Sequence, residues 1–243
     1  MRASARVEIA RRGTRDVVVD ARSEPPMSIR CTPDRILVVS SAAAPVGGDE
    51  LAIDVVVGPG ATALLGTAAA TVVWPGPRGA ASSQRTRIVV GDGGHVEWRP
   101  EPMVSVIGSV HRTRTDVELI GTATARVVEE TSLGRSGECS GRLDVELRVT
   151  RDNAPLVHHV EQLGPDVPGW GSAVHVSSAR HLVTGVVVGS PAGDPLTIVA
   201  DRLGGASAAR FPVAPDVAVM VVVAPDRPTA HTLLRTVCPD QRS

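Results

Sequence analysis

From Leu51 to Val57 the chain alternates strictly, with Leu51, Ile53, Val55 and Val57 on one side and Ala52, Asp54 and Val56 between them. A period of two marks a half-buried β-strand and does not fit a helix, whose apolar positions recur about every 3.6 residues. The strand is bracketed by Ser41-Ala42-Ala43-Ala44-Pro45-Val46-Gly47-Gly48-Asp49 before it and Gly58-Pro59-Gly60 after it. A glycine pair ahead of an acid leaves positive φ open at both glycines, so the backbone can turn tightly there. Turn, strand, turn is the grammar this stretch imposes on its surroundings.

The same grammar runs through most of the chain. Val7, Ile9, Val17 and Val19 predict an edge hairpin turning near Arg12-Gly13, and Ser23-Glu24-Pro25-Pro26 breaks it, because prolines cannot feed a central strand. Ile36 to Val39 is a short apolar strand, and Leu64 to Trp74 is apolar and small. Pro75 to Ser83 reads as a mobile loop. Gln84 to Val90 resumes a strand, which Gly91-Asp92-Gly93-Gly94 turns into His95 to Arg99. Met103 to Leu119 is long and strand-like. Thr113, Thr115, Val117 and Leu119 share one face, while Arg112, Arg114, Asp116 and Glu118 form a solvated sheet surface. Val145, Leu147 and Val149 alternate with Glu146 and Arg148 up to Arg151-Asp152-Asn153, which turns the chain towards Leu156 as a hairpin.

The C-terminal quarter reads differently. Asp194 as cap, Pro195 behind it, and Leu196, Val199 and Leu203 on one stripe predict a helix closed by Gly204-Gly205. Val217 to Val223 is a buried strand, and Asp226 to Val237 is a second helix with Leu233, Leu234 and Val237 inward. No internal repeat is visible, so a regular solenoid is not expected. The expected fold is mainly β: a large sheet body of many strands with about two helices near the C-terminus. It forms a single domain over 1–243, with a flexible loop at about 75–83 and a disordered tail at 239–243.

Composition removes several functions. All 25 basic residues are Arg, which rules out Schiff-base chemistry and a Lys-type phosphate loop. The net charge of −1 points to no polyanion, and Trp74, Trp98, Trp170 and Phe211 are too few for stacking nucleic-acid bases. Cys31, Cys139 and Cys238 are isolated and odd in number, against a disulfide framework or a zinc knuckle. Met1-Arg2-Ala3-Ser4 carries no apolar leader and no apolar run approaches a membrane span. A cytoplasmic protein without nucleic-acid or membrane partners is expected.

Enzyme motifs are missing: no nucleophile elbow, phosphate loop or dinucleotide fingerprint occurs. His158 and His159 are adjacent and point to opposite faces of a strand, so they cannot chelate one ion from one side. His175 and His181 share a face only if a strand runs unbroken through Ser177-Ser178, and His95, His111 and His231 are scattered. A β-rich metal-dependent enzyme is therefore the weakest reading. Asp49, Glu97, Glu129, Glu130 and Glu138 are more informative, because each sits beside small or apolar residues and acids are rarely buried unpartnered. Two readings stay open. Arginine neighbours neutralise them, with Arg135 or Arg142 pairing with Glu138, or they line an interior route for a divalent cation, which oxygen ligands hold weakly enough to pass on.

Several segments together resemble one family. Val46-Gly47-Gly48-Asp49, the strand to Val57 and Gly58-Pro59-Gly60-Ala61 come first, followed by Leu64-Leu65, Thr67, Ala69-Ala70-Thr71 and Trp74. Gln84 at a strand start, Glu97-Trp98-Arg99-Pro100, Glu129, Leu133-Gly134-Arg135-Ser136-Gly137-Glu138, Gly141-Arg142-Leu143 and Arg151-Asp152-Asn153-Ala154-Pro155-Leu156 follow in order. Over roughly residues 30–160, and more faintly to 237, this order is similar to that of the urease accessory protein UreD, called UreH in some organisms. The resemblance implies a non-enzymatic scaffold that binds urease apoprotein and UreF and, through UreF, receives the GTPase UreG. It implies that Ni²⁺ passes to the urease site in transit, with no cofactor permanently bound and no stable metal site. Asp49, Glu97, Glu129 and Glu138 would form the nickel path, with Gly47, Gly48 and Arg135 shaping the loops. Departures at Ala68, Val72, His159-Val160 and Val221 leave an alternative, a degenerate paralogue that acts only as a binding partner.

Overall fold

The computed structural model describes residues 1–172, 176–200 and 205–238. The chain opens with the hairpin β1 (Arg2–Arg12) and β2 (Arg15–Ser23), then a second hairpin, β3 (Met27–Cys31) and β4 (Ile36–Ser40). There follow β5 (Glu50–Val57), β6 (Thr62–Thr67), β7 (Thr71–Val73), β8 (Ser82–Val90), β9 (His95–Trp98), β10 (Met103–Ser105), β11 (Val110–Leu119), β12 (Thr124–Leu133) and β13 (Arg142–Arg151). The chain closes with β14 (Ala154–Leu163), β15 (His181–Val188), β16 (Leu196–Ala200), β17 (Ala206–Ala214), β18 (Val217–Ala224) and the helix α1 (Arg227–Val237).

Two sheets result. The first has the order β14-β13-β11-β8-β5-β1-β2, and its strands from β13 to β1 are mutually parallel. The second runs β16-β17-β18-β15-β12-β9-β6-β4-β3, parallel from β12 to β4 and antiparallel from β12 to β16. Between β4 and β13 the long strands alternate from one sheet to the other, so the chain winds as a flattened coil. The winding was not expected from the sequence, which shows no internal repeat. The coil carries no repeat because its strands differ in length, from 4 residues in β9 to 10 in β11.

Parallel sheets usually have both faces covered and read as continuous apolar runs. Here the first sheet keeps one face in water, which explains why its strands alternate. Register brings Arg6, Asp54, Arg87, Asp116 and Arg148 side by side across β1, β5, β8, β11 and β13, with charge changing sign at each step. Like charges directly opposite would destabilise such a sheet, and the alternating row avoids them. The inward side chains form the main core, including Val55, Ile88, Leu119, Leu147, Trp98 and Val127. A second core lies on the outer face of the second sheet, where Leu233, Leu234 and Val237 of α1 pack on Val128, Met220 and Val222. Asp226 caps α1 by accepting from the Thr229 N–H at 2.8 Å, and Pro228 lies in its first turn.

Several expectations change. The fold is mainly β, but the described residues contain one α-helix and not two. Leu196–Ala200 is a strand paired antiparallel with β17. Thr197, Ile198 and Val199 are β-branched and favour a strand, which outweighs the Asp-Pro start signal. Residues 201–204, and the tail at 239–243, lie outside the described residues, as does His175. Met103 to Leu119 divides into β10 and β11 at a turn where Gly108 has φ 75°. In the segment 75–83, Pro77–Gly79 is a 3-10 turn and β8 already begins at Ser82. No helix among the described residues is long and apolar enough to cross a membrane.

Candidate functional site

The glycine-acid loop ahead of β5 is a clasp. Gly47 lies against Gly76 so closely that a Cβ on either would collide with the other's backbone. Gly48 has φ 93°, the left-handed region that glycine enters at little cost. Asp49 is buried, and both its oxygens are engaged: one accepts from the N–H of Val46 at 2.8 Å, the other from the Met1 ammonium at 2.9 Å. Trp74 follows in the same cluster, its backbone N–H donating to the Pro45 carbonyl at 2.9 Å, and the Arg135 guanidinium lies over its ring at 5.3 Å.

Arg135 also grips Glu138 bidentately, at 2.8 and 3.1 Å. This pairing pulls the Glu138 carboxyl down to about 2. Of the two arginines considered as its partner, Arg135 takes the role, and Arg142 pairs with Asp144 at 2.7 Å. Glu97, on β9, faces outward from the second sheet onto a cleft of about 880 Å³.

Glu129 is the acid that enters the interior. It shares the inward face of β12 with Ala125 and Val127, and it accepts hydrogen bonds from Thr115 Oγ1 at 2.6 Å and Trp98 Nε1 at 3.2 Å. Thr115 belongs to the first sheet and Trp98 to the second, so this carboxylate lies between the layers. Burial pushes its carboxyl up, against those two hydrogen bonds and the nearby His159. His159 faces inward from β14, with Nε2 3.8 Å from a Glu161 oxygen, while His158 faces out and meets Glu146 at 3.0 Å. Thr184 stands across from Glu129 on β15.

The four proposed path residues are thus dispersed: Asp49 and Glu138 in separate loop clasps, Glu97 on an outer face, Glu129 inside. Among the described residues no group of three or more His, Cys, Asp and Glu side chains could hold a metal ion. The structure also places Glu130 in a role not assigned from the sequence. It points away from Glu129, to the outer face of the second sheet, where its carboxylate meets His231 Nε2 at 2.9 Å, Arg227 Nε at 2.9 Å and His181 Nε2 at 3.3 Å. The available signal was the spacing of Arg227 and His231, which puts both on one helix face where a single acid can meet them.

Comparison with known proteins finds relatives across the chain. The profile described as UreD urease accessory protein matches residues 1–239. A urease accessory protein UreD of Streptomyces coelicolor is 32% identical over 96% of this chain and 94% of its own length. A UreD of Frankia casuarinae is 33% identical over 92% of this chain and 81% of its own. The protein named urease accessory protein UreD 3 of Streptomyces griseus is 36% identical over 79% and 75% respectively. These relatives are maturation factors and not enzymes. The chain belongs to the UreD urease accessory protein family.

Proposed function

We propose that this protein is a cytoplasmic, non-enzymatic scaffold of nickel-urease maturation. It binds urease apoprotein and UreF, receives UreG through UreF, and lets Ni²⁺ pass towards the urease active site without keeping it. The observation that carries this reading is Glu129, a carboxylate between two packed sheets in a member of a urease accessory family.

The chemistry of transit follows from that position. A carboxyl whose proton is favoured by burial exchanges the proton for a divalent cation when one arrives. One carboxylate with hydroxyl and imidazole neighbours offers too few anionic ligands to retain Ni²⁺, so the ion moves on. The reading assigns the interior step of the path to Glu129. Asp49 and Glu138, with Gly47, Gly48 and Arg135, hold their own loops, and Glu97 belongs to the outer face.

Co-expression with the urease subunits, UreF and UreG from the same source, with and without this chain, tests the proposal. Urease activity and nickel content should both depend on the chain. Equal activation in its absence would remove the maturation role.

A further inference from the structure

One cleft has no part in the route through Glu129. It lies on the opposite, outer face of the second sheet, and its volume of about 880 Å³ is of the size that takes a small molecule. Leu64, Ala218, Met220 and Val237 give it an apolar lining, and Arg35, Arg99, Arg126 and Arg210 line it with positive charge. A smaller cavity of about 200 Å³ shares Arg35, Leu64, Glu97 and Arg99 with it and ends at Glu130.

The carboxylates of these cavities are mostly occupied. Glu130 is held by Arg227 and His231, Glu101 by Arg227 at 2.9 Å, and Glu97 has a partner of its own. Asp34 also lines the cleft and is exposed, as is Arg35 beside it. Arg126 donates to the Cys238 carbonyl at 3.2 Å. The remaining cations are different. Among the described residues Arg35, Arg99 and Arg210 have no carboxylate partner, and the buried Nε of Arg210 has no hydrogen-bond acceptor. One Arg210 nitrogen reaches only the Asp194 carbonyl, at 3.3 Å.

We infer that this cleft binds a small oxyanion, a molecule bearing carboxylate or phosphate groups. Its oxygens pair with the Arg35 and Arg99 guanidiniums, with Arg210 as a third cation, and its apolar part rests on Leu64 and Met220. Guanidinium planes present paired N–H groups that match carboxylate and phosphate oxygens two at a time. The site lies on the other face of the sheet from Glu129 and uses neither that carboxylate nor nickel, so it stands or falls independently of the maturation reading.

Calorimetric titration of the full chain with citrate, and separately with pyrophosphate, tests it. At least one should bind saturably with a Kd of about 1 mM or tighter. Preference for citrate identifies a carboxylate ligand, preference for pyrophosphate a phosphate ligand. The Arg35→Ala/Arg99→Ala variant should bind at least about tenfold more weakly. Arg87→Ala, on the outer face of the first sheet, should bind as the wild type does. Should the double variant fail to fold, Arg35→Gln and Arg99→Gln singly are to show the same weakening. Absence of saturable binding for both anions overturns the inference, and so does equal weakening by Arg87→Ala, which would mean attraction to bulk charge alone.

Discussion

The Glu130 carboxylate, on β12, accepts from Nε2 of His231, on α1, at 2.9 and 3.0 Å from its two oxygens, across 101 positions of sequence. With Arg227 on the same helix and His181 on β15, this contact gathers three cationic or N–H donors around one acid whose side chain is 1% exposed. Glu130 thereby fixes α1 on the second sheet. Its neighbour Glu129 points the other way, into the interior. One strand thus carries two adjacent acids with separate tasks, one structural and one available for chemistry.

The asymmetry of buried charge predicts how this hub fails. Glu130→Gln removes the charge and keeps the shape, leaving Arg227 its second partner Glu101, and should lower stability by about 1–2 kcal/mol. Arg227→Ala/His231→Ala strands the buried carboxylate and should lower it by about 3–5 kcal/mol. Urea unfolding of both variants decides the order. A larger loss in Glu130→Gln would mean that the acid is not the group needing compensation.

Acid should weaken the fold in two stages. Burial lowers the His111 imidazole from 6.5 to about 4, and its Nδ1 meets Ser82 Oγ at 2.8 Å. Because the folded value is depressed, the stability linked to neutral His111 is complete above 6.5 and is lost as pH falls towards 4. For Glu130, burial alone would raise the carboxyl, but hydrogen bonds from His181 and His231, with the charges of His231 and Arg227, bring it from 4.5 to about 2. Its contribution is therefore lost as pH falls from 4.5 to 2. The urea midpoint against pH should show both descents, and His111→Gln should reduce the first only. An unchanged profile in that variant would contradict the assignment.

The glycine pair should respond unequally. A methyl group at Gly47 meets the Gly76 backbone and the Ala80 carbonyl, and Gly47→Ala should lower stability by about 3 kcal/mol. At Gly48 there is open space and only positive φ to oppose a side chain, so Gly48→Ala should lower it by roughly 1 kcal/mol. Thermal unfolding compares them. The reverse order would show that Gly47 is not wedged against the 74–80 loop.

Legibility in the sequence followed the range of the interaction. Strand β5 between its glycine turns was readable because period two and turn chemistry are local. So was the β13–β14 hairpin, whose Asp152 and Asn153 adopt φ of 49° and 66°. The Arg135–Glu138 pair was equally accessible, since its partners are three residues apart. The parallel winding was not, because alternation reports which face is buried and not which strand lies alongside. Strand β17 was hidden by Pro212, which the structure accommodates at a register shift. Glu129 and Glu130 had to face opposite ways, yet only the packing of both sheets and α1 shows which of them is inside.

The most direct measurement is the nickel content of urease matured with a Glu129→Gln chain. Burial disfavours the ionised form of Glu129 and holds its carboxyl above its ordinary value, and a neutral amide keeps an oxygen that accepts from Thr115 and Trp98. The variant should be at least as stable as the wild type, yet urease nickel and activity should fall by about tenfold, the scale on which groups around a metal act. A stable Glu129→Gln chain that delivers wild-type nickel and activity would contradict the account.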